Sequence, residues 1–349
     1  MNLRTYSRHE NGPILLTLLA VIVAVILVEL IFVRNFNFAK VAFIKPRNIA
    51  NVLMQVSTTG ILAISMTFVM VSGGIDLSVG QMMCFVGTGM AFMMRILGVN
   101  DWLVATLGVV VAILFQVLMG FIISRTRLEP FIVSLGFMTM YKGFTYLITN
   151  GSEITIIDHF TFLGSTYFNI TPTFRIGMPV LVLIVLEIVM WLVLKYTKFG
   201  RSVYAVGGNE NAAYLAGINV KSFKLLVYGL NGVFVAVGTM VLLSRLGTGN
   251  PLIGEGKEID VIAAVVVGGT ALSGGKGNVW GTLIGVLLLG CISNALNILG
   301  VNPYWQYVMT GAIIILAVLL SYFSSLSSES VKVGSRKDDS TQAKKALAG

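Results

Sequence analysis

PILLTLLAVIVAVILVELIFV, residues 13–33, decides which solvent this chain folds in. As a helix rising 1.5 Å per residue it is long enough to cross the ~30 Å hydrocarbon core of a bilayer. It is also longer than the apolar region of a secretory signal, which runs to roughly 15 residues. No small-residue cleavage site follows it, so a retained first membrane span is expected. The rest of the chain has the same character. It is 56% hydrophobic and 11% charged, with mean hydropathy +0.88, whereas a soluble domain carries about 25% charged residues. These values exclude a compact water-soluble fold. The 38 glycines suit membrane helices that approach one another closely.

Apolar runs at 13–33, 49–72, 78–97, 103–124, 131–149, 176–196, 223–244, 259–273, 279–299 and 304–322 predict an all-α, polytopic membrane protein of about ten transmembrane helices. The eighth run is short and glycine-rich, as a broken segment would be. Residues 1–12 are expected to form a cytoplasmic N-terminal segment, 13–322 a single transmembrane domain, and 323–349 a disordered cytoplasmic tail. Net charge is +9. Basic residues gather in the loops that the positive-inside rule places in the cytoplasm, which explains the charge without nucleic acid. With both termini cytoplasmic, residues 197–222 face inward and 150–175 outward. Arg34, Lys40, Lys45 and Arg47 oppose that orientation. Cys84 and Cys291 lie inside apolar runs as small buried hydrophobes, and the histidines are His9 and His159. No metal and no cofactor is expected.

Four features carry function. MVSGGIDLSVG, residues 70–80, places two glycines and Asp76 between apolar runs. TKFGRSVYAVGGNENAAYLAGINV, residues 197–220, is far longer than an inert connection of about 2–8 residues. In it Asn209 suits an N-cap, Glu210 the first turn of a helix, and Gly217 its stop. This predicts a short helix that either docks a partner or lies on the membrane. VVVGGTALSGGKGNVWG, residues 265–281, departs from the P-loop pattern on both sides of Gly275-Lys276. It reads as a tight turn and not as a nucleotide site. GGIDLS and GGTALS share a frame that hints at duplication. Lys142 and Glu187 could pair inside the membrane or snorkel. Gln55, Thr58, Asn231, Asn294 and Asn297 could line a polar path or bond neighbouring helices. No nucleophile, base and orienting group fall together, so an enzyme has no positive support.

SGGIDLSVG (72–80), FGRSVYAVGGNENAAYLAGINV (199–220) and EIDVIAAVVVGGTALSGGKGNVWGTLIG (258–285) resemble the permease subunit of ribose-type bacterial ABC sugar importers. GVNPYWQY (300–307) is similar to the galactoside members. The resemblance implies that residues 13–322 are a permease domain in the bacterial inner membrane, working as a homodimer bathed in membrane lipid. A periplasmic sugar-binding protein delivers the substrate, and a separate ABC ATPase subunit binds below. The substrate it implies is a monosaccharide, ribose or another pentose, with galactose or another hexose as the alternative. An ion-coupled carrier and a membrane-embedded enzyme are the rivals. It also places the ATPase contact on Gly208, Asn209, Glu210, Ala213 and Gly217. Gly73, Gly74, Asp76, Asn231 and Asn294 become candidates for hinge and translocation roles. Gly73 and Gly74 would form a hinge or tight turn. Asp76 would either cap the next helix near Ser78 and Val79 or sit at a wet interface.

Overall fold

A computed structural model describes residues 3–33, 41–126, 128–157, 159–171, 174–302, 304–316 and 319. The expected tail at 323–349, most of the basic linker 34–40 and the end of the run 304–322 lie outside the described residues.

Helix α1 (Leu3–Val28) continues into a π-helical turn, Glu29–Val33. It therefore begins at Leu3, with no break at residue 13. Glu29 in that turn is buried, and its carboxylate accepts the backbone N–H groups of Ala42 at 2.6 Å and Phe43 at 3.0 Å. There follow α2 (Pro46–Val71), α3 (Val79–Arg95), α4 (Asp101–Arg125) and α5 (Pro130–Thr149). The connection after α5 holds β1 (Ile154–Thr155), α6 (Phe162–Ser165), β2 (Tyr167–Thr171) and β3 (Phe174–Gly177). Then come α7 (Met178–Tyr196), α8 (Lys198–Gly208), α9 (Glu210–Leu215) and α10 (Val220–Leu246). The chain continues through β4 (Thr248–Gly249), α11 (Lys257–Val267), α12 (Val279–Ile298) and α13 (Tyr304–Leu316).

Proline opens α2, α5 and α7, where its missing N–H costs nothing and its fixed φ suits the first turn. Asn100 and Asn278 cap α4 and α12 by accepting from Trp102 N–H and Gly281 N–H. Of the ten expected crossings, seven are helices long and apolar enough to span a bilayer among the described residues. The other three differ for visible reasons. α3 has 17 residues because the chain after α2 runs irregularly through Asp76 before coiling again. α11 has 11 residues and ends at Gly268, where the backbone turns through Gly269 at φ +87°. α13 is described only over Tyr304–Leu316.

The core is built around α2, whose residues from Gly60 to Val71 are all buried. α7, α10, α11 and α12 pack on it, and α10 runs along α4. A helix apolar on every side belongs inside a bundle. By contrast α4 and α7 expose Leu114, Leu118, Ile184 and Val185, an apolar surface suited to lipid and too extensive for water. β1 pairs antiparallel with β4, which ties the α5–α7 and α10–α11 connections together at one end of the bundle. The expected Lys142–Glu187 pair does not form. Lys142 Nζ lies 3.8 Å from Glu255 Oε1, and Glu187 is buried in α7 with neither oxygen partnered among the described residues.

Candidate functional site

The connection between α7 and α10 is more structured than its sequence suggests. Asn209 does cap a short helix, accepting Ala212 N–H at 2.9 Å, and Gly217 ends it at φ +86°. Before it stands α8, amphipathic, with Gly200, Val203 and Val206 turned inward. α8 starts on Thr197, whose hydroxyl accepts Gly200 N–H at 3.1 Å. Glu210 pairs with Lys224 of α10 at 2.5 Å. Ala213, expected on the contact face, is instead buried beneath α9. The groups α9 offers outward are Tyr214 and Leu215, 70% and 84% exposed. Ala212 and Ala216 are exposed beside them, so the outward face joins small residues to an aromatic and an aliphatic side chain.

Gly208 is open to solvent, whereas Gly207 beside it is locked. A Cβ on Gly207 would strike the carbonyl of Val71 at the end of α2 and come within 2.8 Å of Gly275 N. Gly275 donates its backbone N–H to that same Val71 carbonyl at 2.8 Å. Gly274, at φ +80°, lies against the carbonyl of Gly207 and the backbone of Gly73. The C-terminal end of α8 and the loops after α2 and after α11 therefore meet backbone to backbone. Only glycine permits this approach. The sequence signal was present as three Gly-Gly pairs, 73–74, 207–208 and 274–275, with nothing in one dimension to say that they touch.

Asp76 is fully buried. Its Oδ1 accepts both the backbone N–H and the hydroxyl of Ser78, at 2.7 and 2.6 Å. Its Oδ2 accepts Gln116 Nε2 of α4 at 2.8 Å and Asn231 Nδ2 of α10 at 2.7 Å. Asn231 Oδ1 in turn accepts the hydroxyl of Ser65 on α2 at 2.7 Å. The expected cap is thus half of the answer. Asp76 does bond Ser78 at the start of α3, but as a local turn two residues on, and Val79 is not a partner. Its other oxygen ties three helices together. It is no wet-interface residue. Gly73 turns the chain at φ +86°, and Gly74 is packed, since a Cβ there would come within 2.8 Å of Tyr228 Oη. Gln116 was missed because an amide in an apolar run has no spacing rule.

Asn294 is not part of this cluster. It exchanges two hydrogen bonds with Asn48, at 2.8 and 3.0 Å, clamping the start of α2 to the end of α12.

The sequence matches, over residues 48–318, the family described as branched-chain amino acid transport system / permease component. It is 41% identical over 282 residues to the ribose import permease protein of Bacillus subtilis, covering 80% of this chain and 86% of that one. It is 33% identical to the xylose transport system permease protein of Haemophilus influenzae, covering 79% and 89%. It is 35% identical to the D-allose transport system permease protein of Escherichia coli, covering 80% and 84%. A helical bundle with seven membrane-length helices fits that match, and the chain belongs to this family of transport-system permease components.

Proposed function

We propose that this chain is the membrane-spanning subunit of an ATP-binding-cassette importer for a monosaccharide, ribose or another pentose. It is a permease and not an enzyme. The carrying observation is the glycine junction at Val71, Gly207 and Gly275. A permease whose Gly275-Lys276 loop is a structural turn and not a P-loop takes its driving force from a partner. Here an exposed loop helix is wired by backbone contact to the ends of α2 and α11. In this reading α8, α9 and both termini lie in the cytoplasm of a multi-pass inner-membrane protein. Ten crossings result when α3 and α11 complete their paths through irregular segments and α13 counts as the tenth. An ABC ATPase subunit seats on Gly208, Asn209, Glu210 and Gly217, with Tyr214 and Leu215 as the exposed anchors, Ala213 supporting them from beneath. A periplasmic sugar-binding protein docks on the opposite face, and a second copy of the chain completes a homodimer within membrane lipid. Relatives named for ribose and xylose support a pentose. The relative named for allose supports a hexose as the second reading.

The test is reconstitution of the permease with its ATPase and binding protein in vesicles, with ribose, xylose, allose and galactose supplied in turn. ATP-dependent uptake of a pentose is expected. Leu215→Ala with Tyr214→Ala should weaken ATPase retention by about 2 kcal/mol or more, as for exposed anchors at an interface, roughly a 30-fold loss. Uptake without any ATPase would overturn the reading in favour of an ion-coupled carrier.

A further inference from the structure

The stretch between β4 and α11 behaves unlike an external loop. Gly249 lies against Gly87, Thr88 and Ala91 of α3, whereas Gly254 lies against Gly80 and Met83, with its N–H on Cys84 Sγ at 3.2 Å. Between the two the chain descends along α3 by about 10 Å, at 1.5 Å per residue. Two independent contacts place its lower end near the middle of the bundle. Gly268 of the α11 end meets Gly281, and Ala264 meets Gly285. One further turn brings Asp260 level with Leu289, which lines the same cavity. That is roughly 15 Å along the ~30 Å length of α12. Lys142, the partner of Glu255, lies roughly 18 Å along α5.

Non-helical backbone at this depth is tolerated only when it is buried in protein or lines water. This segment is not fully buried. The Glu255 side chain is 53% exposed and that of its partner Lys142 is 47% exposed. Lys257 and Asp260, 3.4 Å apart, are 31% and 37% exposed. Charges half-exposed at mid-depth cannot face hydrocarbon without a cost of several kcal/mol each. A polar route leads toward the second pair. A cavity of 930 Å³ at one end of α2 is lined by Arg47, Asn51, Gln55, Arg175 and Arg245. Gln55 also lines a smaller cavity of 70 Å³ that holds Lys257, Asp260 and Ser293.

We propose that residues 250–260 form a wall of the water-filled solute path at the middle of the membrane. The ion pairs Lys142–Glu255 and Lys257–Asp260 are the polar groups past which the solute moves. Each pair sums to zero charge and leaves donors and acceptors on show. The class of solute such a wall suits is uncharged and polyhydroxylated. This inference deepens the permease reading and rests on it for the solute.

The test uses the full complex, with Cys84→Ser and Cys291→Ala as background; serine keeps an acceptor for Gly254 N–H. Glu255→Cys and Asp260→Cys are treated with a water-soluble methanethiosulfonate, which reacts with the thiolate and so needs water at the sulfur. Both are expected to react within about tenfold of Ser152→Cys in an exposed loop, and Leu114→Cys on the apolar face of α4 at least about a hundredfold more slowly. Glu255→Leu and Asp260→Leu, at equal membrane levels, should lower ribose uptake by about tenfold or more, the effect of losing one polar contact of about 1.4 kcal/mol. Unreactive thiols at 255 and 260 overturn the proposal, and so does uptake within twofold of wild type in both leucine variants. A wild-type complex that imports no sugar would overturn the permease reading instead, while the labelling still decides whether the segment meets water.

Discussion

Asp76 Oδ2 and Asn231 Nδ2 lie 2.7 Å apart, although 155 residues separate them in the chain. Through this bond and the one from Gln116, the irregular stretch after α2 is fastened to α4 and α10 at once. Its position is held by directional bonds and not by apolar packing, which could slide. Directional bonds of a buried polar network favour one arrangement, here with Gln116 Oε1 left without a partner among the described residues.

The first prediction follows from what each substitution leaves behind. Asp76→Ala strands the Ser78 N–H and two amide donors in the core and should destabilise by about 3–5 kcal/mol. Asp76→Asn should cost about 1–2 kcal/mol. Its amide can donate to Gln116 once that side chain turns over, because Gln116 Oε1 has no partner among the described residues. Asn231 is not free to turn, since its Oδ1 holds Ser65. Thermal unfolding of the purified protein in detergent reads the order, and equal midpoints for the two variants would refute it.

A second prediction contrasts neighbours. Gly208→Ala meets open space and should be neutral or stabilising by up to about 1 kcal/mol, because alanine favours the helix. Gly207→Ala drives a methyl into the Val71 carbonyl and should cost about 1–3 kcal/mol. It should also uncouple ATP hydrolysis from uptake in the reconstituted complex. Similar coupling in the two variants would remove the junction from the mechanism.

The third concerns Asn48 and Asn294. Each single alanine variant strands the other amide and should cost about 1–3 kcal/mol. The double variant should cost less than their sum by about 0.5–3 kcal/mol. Strict additivity in chemical unfolding would mean that the reciprocal bonds carry no energy. Selectivity among sugars should be unchanged, because the pair clamps helix ends.

The fourth is topological. With Cys84 and Cys291 replaced, Ser152→Cys should react with an impermeant thiol reagent in intact cells, and Ser202→Cys only after lysis. The reverse pattern would invert the protein in the membrane and move α8 and α9 to the outer face.

Helix class, membrane setting and the capped helix at Asn209 were legible in the sequence, because apolar run length and N-cap chemistry are local. The crossing count was not. α3 and α11 read as spans by composition, yet each is cut short by backbone that turns at Gly73 and at Gly269. Periodicity cannot tell a full helix from a half-helix followed by an apolar irregular stretch. The site was legible by parts only. Asp76 stood out as a lone acid in an apolar run, but its partners Gln116 and Asn231 lie on distant helices. Ala213 is buried while Ala212, Leu215 and Ala216 are exposed, because a six-residue helix takes its rotation from what lies under it. Lys142 found Glu255 and not Glu187, since the dip of residues 250–256 into the bundle leaves no sequence signature.

The meeting of the three glycine pairs bears on timing. Loops 73–78 and 268–273 carry the similar strings GGIDLS and GGTALS, one ending α2 and the other following α11. Gly73 of the first, and Gly274 directly after the second, lie against Gly207 at the end of α8. A tilt of α8 therefore reaches the two through one carbonyl, that of Val71, with no side chain between to flex and absorb the stroke. A lever with two arms on a single stiff pin moves them together. The two halves of the bundle would then shift in step, and a state with one half open and the other closed would have no support.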